Sequence, residues 1–375
     1  MSEMSPSRVV VDLNAYAHNF QAVRRRVPAE CAILAVVKAN AYGHGMERVA
    51  QRALKEGAVM LGVATVDEAL TLRQAGIRAP ILVLVQPAEE TLGAVVEHGL
   101  RVMISSVSSA ERLGALAHKA NRVAPIHCKV DSGMGRQGFE IEQAVRDLHG
   151  LTRVANVDIE GVATHFPVAD LQNNPYTLNQ IKAFKHVLRQ LDKQGVPYEF
   201  AHAANSAAII NYNPDSIFNM VRPGLMTYGV WPASTTPAGP SILEPVLRWE
   251  TRVVLVRDLE PGSSIGYGLT YTTPDRMRAA ILPVGYADGY KHGLSNRADV
   301  LIRGKRCPVR GSVCMDQTVV DVTHVDGVAA GDAATLIGAD GDETITAEEL
   351  AKHAQSIPYD ILAGIGPRVH RDYIE

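Results

Sequence analysis

Lys38 closes an uninterrupted apolar run, residues 32–37, and Asn40, Tyr42, Gly43, His44 and Gly45 follow closely. A run that short, without alternation, reads as a strand buried on both faces. A lysine at the carboxyl end of such a strand is half desolvated, so its amine can have a lowered pKa and act as nucleophile or base. Taken alone, the stretch favours a plainer reading, a lysine where a core strand meets water. Other strand-like runs change the odds by how they end. One carries Lys129 and Asp131 with Arg136 just beyond, and others lead into His165, into Asn205 and Ser206, and into Arg222, Pro223 and Gly224. An arginine suits a carboxylate or phenolate. Ser206 opens a short helix, where hydroxyl and backbone N–H groups suit a phosphate or simply cap the helix. Gly224 lets backbone approach a ligand closely, or makes a tight turn. His165 alone reads as a core histidine and Arg222 alone as a salt-bridge partner. Their joint weight depends on a fold that brings strand ends together.

Residues 133–138, GMGRQG, fit the dinucleotide pattern G-x-G-x-x-G, and Asp158 lies at about the distance of a ribose-binding acid. The run does not open a βαβ unit, however, and Met134, Arg136 and Gln137 crowd a pyrophosphate turn. A loop presenting Arg136 to a carboxylate or phenolate is the better reading. Further on, SIGYGLTY (264–271) sets Tyr267 between glycines, LPVGYADGY (282–290) runs from strand into turn, and GSVCMDQ (311–317) carries Met315 and Asp316. Glycine-flanked tyrosines are mostly turn features, so on these residues alone the functional weight is low.

The elements that position these residues follow from the chain's patterning. It has 375 residues, 46% hydrophobic and 21% charged, with net charge −3. That length suggests one large and one smaller domain. No basic arm or long single-sign block appears, which argues against nucleic acid and acidic membranes as partners. The N-terminus lacks a secretory pattern and no apolar run spans a bilayer, so a cytoplasmic protein is expected. Cys31, Cys128, Cys307 and Cys314 lack metal or redox spacing and read as reduced thiols. Strand-like runs at 32–37, 58–64, 80–85, 100–105, 124–130, 157–164, 198–202 and 219–226 alternate with helical patterns. Eight such units predict an α/β fold, a closed (β/α)8 TIM-type barrel, with an open doubly wound sheet as the alternative. Past the Pro-, Ser- and Thr-rich stretch that begins at Trp231, strands dominate. The expected division is a barrel over 1–235 and a mainly β domain over 236–375.

Taken together, AVVKANAYGHG, KVDSGMGRQGF, ATHF, HAANSA, VRPGLMTYG, IGYGLTY, PVGYADGY, GSVCMDQ and IPYDIL, in that order, resemble alanine racemase. The likeness runs from about Arg8 to Arg371. It implies pyridoxal 5′-phosphate as cofactor, with Lys38 holding it as a Schiff base and then serving as one of two bases. Tyr267, supplied by the partner subunit of a homodimer, would be the other base. Arg222 would face the pyridine nitrogen, and His165 would link Arg222 to Tyr267. Arg136 would meet the cofactor phenolate and the substrate carboxylate, with Lys129 carbamylated to hold it and Met315 near the substrate. Tyr42, Ser206, Gly224, Leu225 and Tyr359 would form the phosphate site, and Tyr359 would also restrict the substrate side chain to alanine. The second domain would complete the partner's site. The tail GIGPRVHR departs from many relatives and is expected to touch entry or dimer packing rather than chemistry. Alternatives implied alongside are a racemase of broader range, serine included, and a pyridoxal-phosphate-binding protein without turnover.

Overall fold

The computed structural model describes residues 7–232 and 241–375. Eight parallel strands form a ring: Ala32–Val36, Met60–Val63, Ile81–Val83, Arg101–Ile104, Ala124–Asp131, Val157–Ala163, Phe200–His202 and Met220–Val221. Each pairs with the next, and Met220 and Val221 return to Ala32 and Ile33, so the sheet closes. The expected (β/α)8 barrel is therefore present, and the open sheet is excluded. The strands close because they are apolar toward both the barrel interior and the helices, as in Met60–Val63, where every residue is buried.

The crossover helices start where short polar side chains satisfy the first free N–H groups. Thr65 and Glu68 make a capping box for Val66–Gln74, Ser106 caps Val107–Lys119, and Asn174 caps Pro175–Lys193. The helix Met46–Lys55 had no counterpart in the sequence reading. It buries Met46, Val49, Ala50 and Ala53 on one stripe, a pattern diluted by the charged residues between them.

The chain divides into two compact units, one of Ala17–Ala41 and Met46–Leu243, the other of the remaining segments with Tyr42–Gly45 and Glu244–Glu375. The expected barrel limits were 1–235, and the barrel unit of this division begins at Ala17. The strand Arg8–Asp12 pairs antiparallel with Leu247–Arg252 and parallel with His370–Ile374, so it belongs to the mainly β unit. Val9 and Val11 are fully buried there. A five-residue strand carries no local sign of which partner will cover it. Asp12 then caps the helix Leu13–Arg24, accepting from the N–H groups of Asn14 and Ala15. The expected boundary at 235/236, and most of the Pro-rich stretch around it, lies outside the described residues.

The β unit's main sheet runs Lys305–Pro308, Asp299–Ile302, Ala333–Asp340, Leu247–Arg252, Arg8–Asp12, His370–Ile374. A second, of Leu255–Leu259, Met277–Leu282 and Thr318–Asp321, is antiparallel. The unit also holds the helices Ala347–His353 and Pro358–Ala363 and the strand His370–Ile374. The four cysteines are free thiols, and three are buried. No helix among the described residues is long and apolar enough to cross a membrane.

Candidate active site

Lys38 stands two residues past the last residue of the first barrel strand, Val36, and the backbone beyond it is unusual. Ala39, Asn40, Ala41 and Tyr42 all have φ between 51° and 54°, a full left-handed turn without a glycine. Such a turn costs roughly 1–2 kcal/mol per residue, so its surroundings must hold it. Glu68 accepts from Ala39 N–H at 2.6 Å, and Asn40 Oδ1 accepts from Met46 N–H at 2.9 Å. Gly43 and Gly45, at φ +83° and +96°, pack so closely that a Cβ would meet Leu362 O at 2.1 Å and the Tyr373 hydroxyl at 1.8 Å. The glycines of AYGHG are thus spacers within the β unit, where Arg371 also donates to Gly43 O.

Within the barrel unit, Lys38, Lys129, Arg136, His165 and Arg222 lie close enough to feel one another's charge. Burial first, then the charge of Arg136, lowers the Lys38 pKa below 10.5; Glu68 opposes this and Arg222 adds to it. Lys129 is buried, and burial with Arg222 and Arg136 puts it well below 10.5. Burial pushes Arg222 down to about 10, so it stays charged at neutral pH. Its Nη2 donates to Thr164 O at 2.8 Å and Ala203 O at 3.0 Å, and lies 3.3 Å from His165 Nδ1. Burial and the surrounding cations hold His165 well below 6.5, which keeps its imidazole neutral and able to accept that bond.

Ser206 begins the helix Ser206–Asn211, but Asn205 is its cap, accepting from Ala208 N–H. The Ser206 hydroxyl instead accepts from Gly224 N–H at 2.8 Å and Met226 N–H at 3.2 Å. It ties the end of the seventh strand to the turn that opens the short helix Leu225–Tyr228.

The GMGRQG loop is not a dinucleotide cradle. The Asp131 carboxylate already accepts from the N–H groups of Gly133, Met134, Gly135 and Arg136, at 2.7–3.2 Å. Asp158 lies on the opening turn of its strand and is exposed. Burial raises the Asp131 pKa, but the four donors outweigh it and the net shift is downward from 3.8. A lowered carboxylate stabilises the loop fully above pH 3.8, and that contribution fades as pH falls through the lowered value. Asp131→Ala should make residues 133–138 an early proteolytic site at neutral pH; unchanged cleavage would show that the glycines alone hold the loop.

The β unit gathers the other candidates into two groups. Ser312 donates to Tyr267 O at 2.9 Å, and Cys314 O and Met315 O accept from Tyr286 N–H and Ala287 N–H at 3.0 Å. The three glycine-flanked segments thus form one patch. Arg368, in the departing tail, ties Asp288 to Asp316 within it. Tyr267 is 78% exposed, and Leu269, Tyr286 and Met315 are also exposed. Separately, the rings of Tyr42 and Tyr359 meet at 5.8 Å between centroids.

Family models fit this arrangement over almost its whole length. Residues 11–232 match the alanine racemase N-terminal domain and residues 246–373 the alanine racemase C-terminal domain. The chain belongs to the alanine racemase family. It is 47% identical over 370 residues to the alanine racemase of Symbiobacterium thermophilum, covering 99% of this chain and 97% of that one. Its fold superposes on alanine racemase from Clostridium difficile 630 with a TM-score of 0.94 at 34% identity, over 100% of this chain and 97% of the other. Alanine racemase from Bartonella henselae, solved with covalently bound pyridoxal phosphate, matches at a TM-score of 0.88 and 29% identity, covering 99% of this chain and 100% of that one.

The alanine racemase barrel of this chain also contains polar residues that the sequence reading passed over. Arg222 Nη1 lies 2.7 Å from His202 Nδ1, and His202 leads to His127, Glu160 and Arg101. Arg101 opens its strand, His127 and Glu160 sit inside theirs and His202 ends its own, so none lies beyond a carboxyl end, where chemistry was sought. The available signal was three polar residues, His127, Glu160 and His202, each set between apolar or small neighbours in a strand-like run.

Proposed function

We propose that this chain interconverts L-alanine and D-alanine with pyridoxal 5′-phosphate, as a homodimer in which each subunit completes the other's site. The observation that carries the reading is a cluster of four basic side chains, Lys38, Lys129, Arg136 and Arg222, none of which has a carboxylate ion-pair partner among the described residues. Such a donor set needs anions, and a phenolate and a substrate carboxylate supply them. Lys38 would hold the cofactor and Arg222 would meet its ring nitrogen. Tyr42, Ser206, Gly224, Leu225 and Tyr359 would serve the phosphate. When bound, this cofactor supplies an electron sink that acidifies the Cα–H of an amino acid.

Racemisation then requires one base on each face of Cα, one to remove a proton and one to return it. Lys38 Nζ takes one face; its lowered pKa favours the neutral amine that a base must be. Tyr267 Oη takes the other, arriving from the partner subunit. Its exposure, beside exposed Leu269, Tyr286 and Met315, fits a surface that a second chain covers. Met315 travels with it toward the substrate. His165 relays Arg222's orientation toward Tyr267. Arg222 carries a charge that neutral pH does not remove, so it cannot hand a proton to the ring nitrogen as a carboxylic acid would.

Arg136 grips the substrate carboxylate, and Lys129 is the residue that steadies it. A neutral Lys129 amine can attack CO2: a bond forms from Nζ to carbon, one proton leaves, and the resulting carbamate is an anion facing Arg136. Intact mass measured after equilibration with 13C-bicarbonate should show one added carboxyl group that Lys129→Ala lacks. Equal uptake by the variant would remove Lys129 from this role.

The pH profile has a worked sign. Both lysines lie below 10.5, and the neutral fraction grows as pH rises through the lowered value. The rate of α-proton exchange should therefore climb on an acid limb centred below pH 10.5. A limb centred at or above that value would mean an unperturbed lysine.

The deciding experiment is a panel of L-amino acids incubated with the protein and scored by chiral chromatography and by α-proton exchange in D2O. Alanine should convert and serine should lag. Tyr359→Ser should raise serine conversion relative to alanine, because a bulky ring would leave the side-chain space. Cofactor binding without exchange of any amino acid would leave a carrier protein in place of a racemase.

A further inference from the structure

Arg222 is one end of a buried hydrogen-bond chain that runs away from the strand-end cations. Arg222 Nη1 is 2.7 Å from His202 Nδ1, and His202 Nε2 is 2.7 Å from His127 Nδ1. His127 Nε2 is 3.0 Å from Glu160 Oε2, and Arg101 Nε lies 3.1 and 3.0 Å from the two Glu160 oxygens. Both imidazoles are fully buried. The barrel makes room for them at a specific cost: Gly161 stands opposite His127, and a Cβ there would come within 2.3 Å of its Nδ1.

The direction of every bond follows from the two ends. A guanidinium has no acceptor, so Arg222 donates and His202 Nδ1 accepts. The His202 proton is then on Nε2, which donates to His127 Nδ1. The His127 proton is on Nε2 and donates to the Glu160 carboxylate, which has no proton to give. Burial keeps both rings neutral, as an imidazole nitrogen that accepts must be. Arg101 holds Glu160 ionised at the far end. Arg73 and Arg122, which line a cavity of about 570 Å³ together with Arg101, are engaged otherwise: Arg73 donates to the loop carbonyls of Ile77 and Ala79, and Arg122 to those of Val96 and Glu97 at the end of the helix Leu92–Glu97.

We propose that Glu160 and Arg101 are positioning residues for Arg222, acting through His127 and His202. Their charge locks both rings as Nε2–H tautomers and so keeps a lone pair aimed at Arg222 Nη1. The inference rests on the racemase reading only for its catalytic consequence; the tautomer lock itself stands on the geometry. Glu160→Gln exposes it. The substituted amide has one acceptor oxygen for two donors, and the permanently charged Arg101 takes it. The amide NH2 then faces His127 Nε2, both rings reverse, and His202 presents an N–H to Arg222. Glu160→Asp keeps the charge and should keep the polarity.

The test is 15N NMR of histidine-labelled protein, read with and without pyridoxal phosphate, together with kinetics and the visible spectrum of the loaded enzyme. Wild type should show His127 and His202 as Nε2–H tautomers, which needs no variant to fold. Glu160→Gln should invert both, shift the cofactor band, and lower kcat roughly ten- to hundredfold with KM for alanine within about twofold. Glu160→Asp should restore the band and most of kcat. An Nδ1–H tautomer at either histidine in the wild type would overturn the lock. So would a Glu160→Gln protein with unchanged tautomers and band, whatever its stability. Failure of the racemase reading looks different, since the wild type would then not convert alanine while its histidine tautomers could still be scored.

Discussion

Lys38→Ala should leave no measurable racemisation in either direction, a loss of at least about 10⁴-fold. Two functions go with one side chain: attachment of the cofactor and proton transfer on one face of Cα. The environment explains why this lysine and not an exposed one serves. Burial and the nearby Arg136 and Arg222 charges disfavour its ammonium form. The left-handed turn at Ala39–Tyr42 limits the paths its backbone can take. The variant should also lose the covalent cofactor, so borohydride treatment followed by peptide mapping should label Lys38 in the wild type and nothing in its place in the variant. Residual α-proton exchange above the free-cofactor rate would assign the base elsewhere.

Tyr267→Phe should lose roughly 10²- to 10⁴-fold in racemisation while the cofactor stays bound. The loss is expected to be one-sided in a way Lys38→Ala is not. With only Lys38 present, one enantiomer should still exchange its α-proton with D2O and keep its configuration, and the other should exchange little. Fold stability should be unaffected, because the Tyr267 ring is largely exposed and its backbone bond to Ser312 does not involve the hydroxyl. Equal loss of exchange from both enantiomers would point to a positional role for the tyrosine.

Much of this was legible because the barrel strands are short runs buried on both faces, which sequence shows directly. The strand ends carrying Lys38, Lys129, His165 and Arg222 followed from the same reading. What escaped has physical reasons. The strand Arg8–Asp12 joins partners more than two hundred residues away in sequence, Leu247–Arg252 and His370–Ile374, and nothing local names them. Ser206 looked like a cap, but Asn205 took that place and freed its hydroxyl to accept from the turn at Gly224 and Met226. GMGRQG was legible as a false match to a phosphate cradle, and what the sequence did not show is that Asp131, two residues before it, occupies its N–H groups. The His127–His202 chain escaped because positions within strands, up to their last residue, are expected to pack rather than to carry hydrogen-bonded charge. Gly161 is its trace in the sequence, a strand glycine with no turn to make.

The central claim is that the two bases come from two chains, and mixing two inactive proteins tests it most directly. Differently tagged Lys38→Ala and Tyr267→Phe proteins would be allowed to exchange subunits, and the doubly tagged species isolated and assayed. A mixed dimer has one site with both substitutions and one with neither, so the isolated doubly tagged dimer should regain about half of the native activity. Doubly tagged dimers that form yet remain inactive would contradict the account, because the Lys38 and Tyr267 of each site would then belong to the same chain.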